Sequence, residues 1–307
     1  MKNFLERYDL REKHPVLDAI RRAYRFQRKF QNWSAEQIRD HQFKAIKQLV
    51  RHASKTVPMY KKLYGGDVDV SSWEQFFALP ELSRDALVDT PLGNRASTSL
   101  TKDTVPRSFV KTSGTTGEPV ILTRSIRTEV WRAACRLIEY EWWDLDPRGE
   151  CLSNRFTFEP DAEGYDSIEE IIRKDDWEEG MMRRMIPCGK GYQVLPGEKS
   201  PRLAELLEKL RPEILYTGPA SLEEVIPYMG NYQAKSIFSI GEKLYENVRN
   251  RAEKAFGSRI TDVYGANELG RIAISCPQGE GFHCHDSNVL LEVVSENSQP
   301  VGEGEIG

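Results

Sequence analysis

The sequence predicts an α/β protein. A helical N-terminal region (1–104) precedes two layered αβ subdomains with mostly parallel sheets (105–282), and a β-rich subdomain starts at 283–307. Three observations carry this reading. Apolar residues recur at helical spacing near the N-terminus, strands alternate with helices from about Val105, and the text turns strand-rich again after Phe282.

Composition bounds the function classes. The chain has 307 residues, 39% hydrophobic and 29% charged, enough apolar material for a real core and too much for disorder. A formal charge of −4 gives no general attraction to nucleic acid or anionic lipid, so neither is expected as a partner. No apolar run approaches the roughly 20 residues that span a bilayer. The opening MKNFLERYDLREKHP is charged and lacks an apolar signal-peptide core. Cys135, Cys151, Cys188, Cys276 and Cys284 are odd in number and scattered, which fits reduced thiols and a cytoplasmic location.

Two long helices open the chain. In the first, Val16, Ile20, Tyr24 and Phe30 mark the buried side, while Arg21, Arg22, Arg25, Arg28 and Lys29 are expected on a solvated face, not a nucleic-acid patch. The second starts at the capping signal Ser34-Ala-Glu-Gln37 and buries Ile38, Phe43, Ile46, Leu49 and Val50. Ser71-Ser72 and Ser83 cap shorter helices. Strands follow at Ser108–Val110 and Val120–Thr123, then a helix from about Thr128 to Trp143 and a strand at Cys151–Phe158. The acid-rich segment Glu159–Arg184 reads as an insertion with its own helix, and Asp175, Asp176, Glu178 and Glu179 as solvated acids. A helix at Pro201–Leu210, a strand at Glu213–Tyr216, a helix from near Ser221, a strand at Ser236–Ile240, a helix at Tyr245–Phe256 and a strand at Ile260–Tyr264 complete the alternation. Val289–Val294 is the clearest later strand. Ligands on such sheets bind in crevices beyond the carboxyl ends of the strands.

The stretch Lys111-Thr-Ser-Gly-Thr-Thr-Gly-Glu-Pro119 joins the first two strands. Its glycines let backbone amides approach a phosphate chain, and its hydroxyls add short donors. It is not the nucleoside-triphosphate loop ending in Gly-Lys-Ser/Thr, because Glu118-Pro119 follows Gly117. With no lysine inside it, a metal ion must neutralise much of the phosphate charge.

Ser113-Gly-Thr-Thr-Gly117 followed by a proline resembles the phosphate loop of the adenylate-forming ligase superfamily. Asp262-Val-Tyr-Gly-Ala-Asn-Glu-Leu-Gly270 resembles that family's Tyr-Gly-x-Thr-Glu segment, and Ser239-Ile-Gly-Glu-Lys243 the stretch that backs the adenine. Val57-Pro-Met-Tyr60, Glu280-Gly-Phe-His283 and Gly302-Glu-Gly-Glu-Ile-Gly307 are similar to the phenylacetate–CoA ligase branch with its capsular-polysaccharide-associated relatives. The likeness covers nearly the whole chain but not Arg155–Arg184, a region that helps shape the acyl pocket.

The resemblance implies that ATP and a small carboxylic acid form an acyl-adenylate, which then passes to a thiol, usually coenzyme A. It makes 105–282 the AMP-binding αβ core. Thr112, Ser113, Gly114, Thr115, Thr116 and Gly117 would hold the β- and γ-phosphates, with Thr115 and Thr116 acting with Glu268 in catalysis. Glu268 would bind Mg2+. Tyr264 would stack on adenine with Gly265 leaving room beside it, and Asn267 would replace the family's threonine. Gly241 and Glu242 would line the adenine and acyl pocket, with Asp262 at its edge. The catalytic lysine, ribose-binding aspartate and hinge of the family's C-terminal lid domain are not in this sequence, which is therefore expected to be truncated and catalytically incomplete by itself. Two alternatives stay open: an acyl-protein synthetase using a carrier or protein thiol, and a non-catalytic nucleotide-binding module.

Cys276, His283, Cys284 and His285 lie within ten residues. On a strand His283 and His285 would share a face, and a structural Zn2+ on Cys276 and His283 is the alternative to plain reduced thiols. The spacing fits no standard structural finger.

Overall fold

The computed structural model describes residues 3–102, 104–111, 119–154, 172–178, 180–194, 200–279, 281–297, 300–302 and 304–305. Helices α1 (Phe4–Tyr8), α2 (Pro15–Phe30), α3 (Ala35–Thr56) and α4 (Pro58–Leu63) come first, then the short α5 (Trp73–Phe77), α6 (Arg84–Asp89) and α7 (Leu92–Arg95). Strands β1 (Pro106–Lys111) and β2 (Ile121–Ser125) precede α8 (Ile126–Trp142), β3 (Cys151–Ser153), β4 (Ile172–Lys174), α9 (Gly180–Met185) and β5 (Gly191–Gln193). The rest alternates: α10 (Ser200–Leu210), β6 (Ile214–Thr217), α11 (Pro219–Val225), β7 (Ser236–Ile240), α12 (Glu246–Phe256), β8 (Ile260–Ala266), β9 (Gly270–Ser275) and β10 (Phe282–Cys284). Among the described residues no helix is long and apolar enough to cross a membrane.

The chain divides into two compact units, each discontinuous in sequence. The first comprises Met1–Tyr24 and Ala133–His283. Its sheet has the order β10-β9-β8-β7-β6-β3-β5-β4, parallel through the centre (β8-β7-β6-β3-β5) and antiparallel at β9 and β4. The predicted α/β class with a mostly parallel sheet is the observed one. Leu152, Leu215, Ile237 and Ile260 stand in register on four adjacent strands and belong to one buried cluster with Leu207, Leu222, Val248 and Phe256 of α10, α11 and α12. On the opposite face the Tyr216 ring stacks on Phe238 at 4.7 Å, and Tyr140 of α8 meets Phe238 edge-on. Helices therefore cover both faces, the arrangement a parallel sheet requires.

Two expectations change in this unit, for Arg21 and Glu178, and the insertion keeps its expected helix. Arg21 is buried, not solvated: its guanidinium donates to both Asp9 carboxylate oxygens and to Asp18, all at 2.8 Å, and the paired acids make its burial affordable. In the acid-rich insertion 159–171 lies outside the described residues, 172–174 forms an antiparallel edge strand on β5, and the helix is α9. Glu178 is buried where a solvated acid was expected. It accepts hydrogen bonds from Arg136 and Tyr140, beside a Trp177 whose indole donates to the Pro147 carbonyl at 2.7 Å.

The second unit comprises Arg25–Arg132 and Cys284–Gly307. Helix α3 has the predicted capping box, with the Ser34 amide donating to Gln37 Oε1 at 2.9 Å and the Gln37 amide to Ser34 Oγ at 3.2 Å. Ser72 and Ser83 accept from the Gln75 and Ala86 amides in the same way. Leu49 is exposed and only Val50, Ala53 and Ser54 of α3 are buried, because one residue is a 100° rotation and Leu49 falls off the packed stripe. β1 and β2 form an antiparallel hairpin whose last pair is Lys111 with Ile121, so the Gly/Thr stretch is the hairpin connection. The predicted strand Val289–Val294 forms no ladder among the described residues, only an isolated bridge from Val294 to Pro300. Val289 instead closes a turn on the His285 carbonyl at 3.0 Å.

Candidate functional site

Parallel strands β6, β7 and β8 end side by side, and the sequence places its predicted site residues at two of these ends. Thr217 pairs with Ser239 and Ile240 with Val263, so Gly241 after β7 adjoins Tyr264 in β8 on strands about 4.8 Å apart. Gly241 has φ +109°, a backbone state that side-chain-bearing residues rarely adopt, and Glu242 beside it is exposed. The Tyr264 ring is about half exposed (53%), free to present a face to a planar ligand.

Gly265 has a structural reason of its own. A Cβ there would stand 2.6 Å from the Gly270 carbonyl, because β8 and β9 cross closely at the register shift between Tyr264 and Gly265. Asn267 and Glu268 lie beyond it on the exposed turn joining the two strands. Glu268 enters no hydrogen bond or ion pair among the described residues, which leaves a hard oxygen donor available for a cation.

Asp262 is more enclosed than a pocket edge. It is buried, its carboxylate accepts from Arg249 of α12 at 3.3 Å, and its amide donates to Ser275 Oγ at 2.9 Å. Burial pushes its pKa up, against the pull of the Arg249 charge. The structure thus brings Gly241 and Glu242 together with Tyr264 and Gly265, puts Asn267 and Glu268 on the adjoining turn, and holds Asp262 beneath them. Thr112, Ser113, Gly114, Thr115, Thr116 and Gly117 lie outside the described residues.

The zinc reading finds no ligand set. Among the described residues no group of three His, Cys, Asp or Glu side chains is disposed to hold a metal. Strand β10 ends at Cys284, so His283 and His285 do not share a strand face: His283 is exposed against the Trp142 ring at 5.1 Å, while His285 is buried. Cys276 Sγ accepts from the Gln278 amide at 3.4 Å.

Sequence reasoning missed the polar network under the site. Arg271, second residue of β9, meets Glu139 of α8 at 3.3 Å, and Tyr216 donates to the Tyr140 hydroxyl at 3.2 Å, which in turn binds Glu178. One signal was present: Glu139 follows the apolar pair Leu137-Ile138 and precedes Tyr140 on a helix that also carries Ala133, Ala134 and Cys135. An acid at such a place needs a buried cation.

No protein-family model matches this sequence, and no curated protein matches it either. Solved structures share its fold. One is 2-hydroxyisobutyryl-CoA ligase with 2-HIB-AMP and CoA in the thioesterification state, at TM-score 0.68 and 18% identity over 89% of this chain and 59% of that one. The open conformation of the same enzyme gives 0.64 and 17% over 84% and 61%, and its postadenylation state with R3-HIB-AMP 0.65 and 16% over 89% and 58%. This chain therefore spans about three fifths of the length of that ligase, and the likeness is one of fold.

Proposed function

We propose that this chain is the nucleotide- and acyl-binding part of an ATP-dependent carboxylate-activating ligase. In the reaction, a carboxylate oxygen attacks the α-phosphorus of ATP, the bond to pyrophosphate breaks, and the acyl-adenylate then passes its acyl group to the thiol of coenzyme A. The observation that carries this reading is the meeting of Gly241-Glu242 and Tyr264-Gly265 at adjacent carboxyl strand ends. Those two segments resemble the adenine-binding elements of the superfamily, and the fold is shared with a CoA ligase solved with an acyl-AMP and CoA.

In this reading Tyr264 stacks on the adenine, Gly241 and Glu242 line the base and acyl group, and Asp262 supports Tyr264's strand from below. Asn267 bonds a phosphate or carboxylate oxygen in place of threonine. The hydroxyls of Thr112, Ser113, Thr115 and Thr116, with the Gly114 and Gly117 amides, hold the phosphates. Glu268 would hold Mg2+, which would supply the positive charge that the lysine-free loop lacks. The phenylacetate–CoA ligase branch is the finer assignment, on the sequence elements near Val57 and Gly302.

ATP–pyrophosphate exchange by the full-length protein, over a panel of aryl, fatty, hydroxy and amino acids, tests the proposal. Exchange with at least one acid, followed by thioester formation with coenzyme A, is expected. Thioester formation only on a carrier or protein thiol would make it an acyl-protein synthetase. Absence of exchange with every acid would leave only a nucleotide-binding module.

A further inference from the structure

One rung of the sheet has a composition that core packing does not explain. Asn154 follows β3, and its amide donates to the Tyr216 carbonyl at 3.2 Å, which sets it level with Thr217. Thr217 pairs with Ser239, and Ser239 with Asp262. Cross-strand partners direct their side chains to one face. Four polar residues therefore run side by side across β3, β6, β7 and β8, with relative exposures of 5, 1, 0 and 8%. Two residues earlier on that face the rung is Leu152, Leu215, Ile237 and Ile260, entirely aliphatic.

Asp262 in this rung is paired with Arg249, and Thr217 Oγ1 reaches the Gly218 carbonyl at 3.5 Å. Asn154 Oδ1 and Ser239 Oγ have no hydrogen-bond partner among the described residues. Native proteins rarely leave buried polar atoms unpaired, since each forfeits its bond to water. Above Ser239 on the same face stands Gly241, where an added Cβ would meet nothing within 4 Å. The rung thus lies at the carboxyl end of β6 and one residue short of the end of β7, directly beneath the edge where the proposed ligand would lie.

We propose that Asn154, Thr217 and Ser239 form the hydrogen-bonding floor beneath the acyl group, and that the activated acid carries hydroxyl or amino groups along its chain. This rests on the reading of the chain as a carboxylate-activating ligase. The two unpaired atoms project from strands two spacings apart, about 9.6 Å. One hydroxyl cannot serve both; an acid with two polar groups can, one bonding Ser239 and the other donating to Asn154 Oδ1. A fatty or plain aryl acid leaves both unpaired, the condition under which a polar site rejects an analogue.

Matched acids test this in pyrophosphate exchange by the full-length protein: 3-hydroxybutyrate against butyrate, 6-aminohexanoate against hexanoate, and 2,3-dihydroxybutyrate against both. The polar members are expected to show at least about a tenfold higher kcat/KM. Ser239→Ala and Asn154→Leu are each expected to move that ratio toward one. Equal use of matched acids, with ratios unmoved by either variant, overturns the proposal while leaving the ligase reading intact. Failure to bind ATP or exchange with any acid overturns the ligase reading itself, and this proposal with it. A second measurement needs no activity: Ser239→Ala is expected to keep or raise the melting temperature, because no bond within the protein is lost. A lowered melting temperature would show that the hydroxyl has an internal partner and would overturn the proposal.

Discussion

Arg271 Nη1 lies 3.3 Å from Glu139 Oε2, so the second residue of β9 is fastened to a fully buried acid in the last turn of α8. β9 starts where the turn carrying Asn267 and Glu268 ends, and the pair thereby fixes one foot of that turn. Burial opposes the Arg271 charge, Glu139 supports it, and the net shift is upward.

Arg271→Met removes the ion-pair partner that β9 gives the buried Glu139 carboxylate. The expected loss of stability in urea unfolding is about 3–5 kcal/mol, the usual cost of breaking a buried pair from one side. Replacing both partners, as in Arg271→Met with Glu139→Leu, is expected to recover most of it. A single-variant loss under about 1 kcal/mol would place the pair among solvent-screened surface contacts.

Glu268→Ala should abolish magnesium-dependent ATP binding without touching the fold, since the side chain stands exposed on a turn. Calorimetry with and without the cation reads this directly. An affinity equal to that of the parent protein would remove Glu268 from the metal role.

Gly265→Ala separates two explanations of one glycine. The new methyl would press on the Gly270 carbonyl, so thermal stability is expected to fall by about 1–3 kcal/mol even without nucleotide. Unchanged stability with weakened ATP binding would instead mean that the glycine serves the ligand alone.

Burial pushes the Tyr216 phenol up to about 12, and Tyr140 is also raised well above its ordinary value. The folded chain therefore keeps these protons to higher pH than the unfolded chain, whose tyrosines titrate near about 10. The stability they contribute is complete below pH of about 10 and is lost as pH rises from there to about 12. Tyr216→Phe is expected to flatten that decline when urea midpoints are compared between pH 8 and 11.5; identical slopes would contradict the assignment.

The elements most legible in the sequence were those set by local chemistry. The apolar text of Ser236–Ile240 coincides with β7, and the Ser34/Gln37 box follows from hydrogen-bonding groups three residues apart. Val289–Val294 misled for the opposite reason. Its β-branched text suits a strand, but a strand exists only where another supplies the ladder, and here only Val294 finds a bridge partner among the described residues. Charge alone points Glu178 and Arg21 to solvent, because their partners Tyr140, Arg136 and Asp9 are remote or unmarked in the text.

The sequence by itself determined the α/β class and the hairpin that holds the Gly/Thr connection, and it named the side chains proposed above for a nucleotide, since these follow from periodicity, turn residues and short motifs. Only the tertiary structure decided that Gly241 adjoins Tyr264, that Gly265 is needed by the Gly270 carbonyl, and that Asn154, Thr217, Ser239 and Asp262 form a single polar rung. Parallel register joins residues more than a hundred positions apart, and no local pattern in a chain encodes which strand will lie beside which.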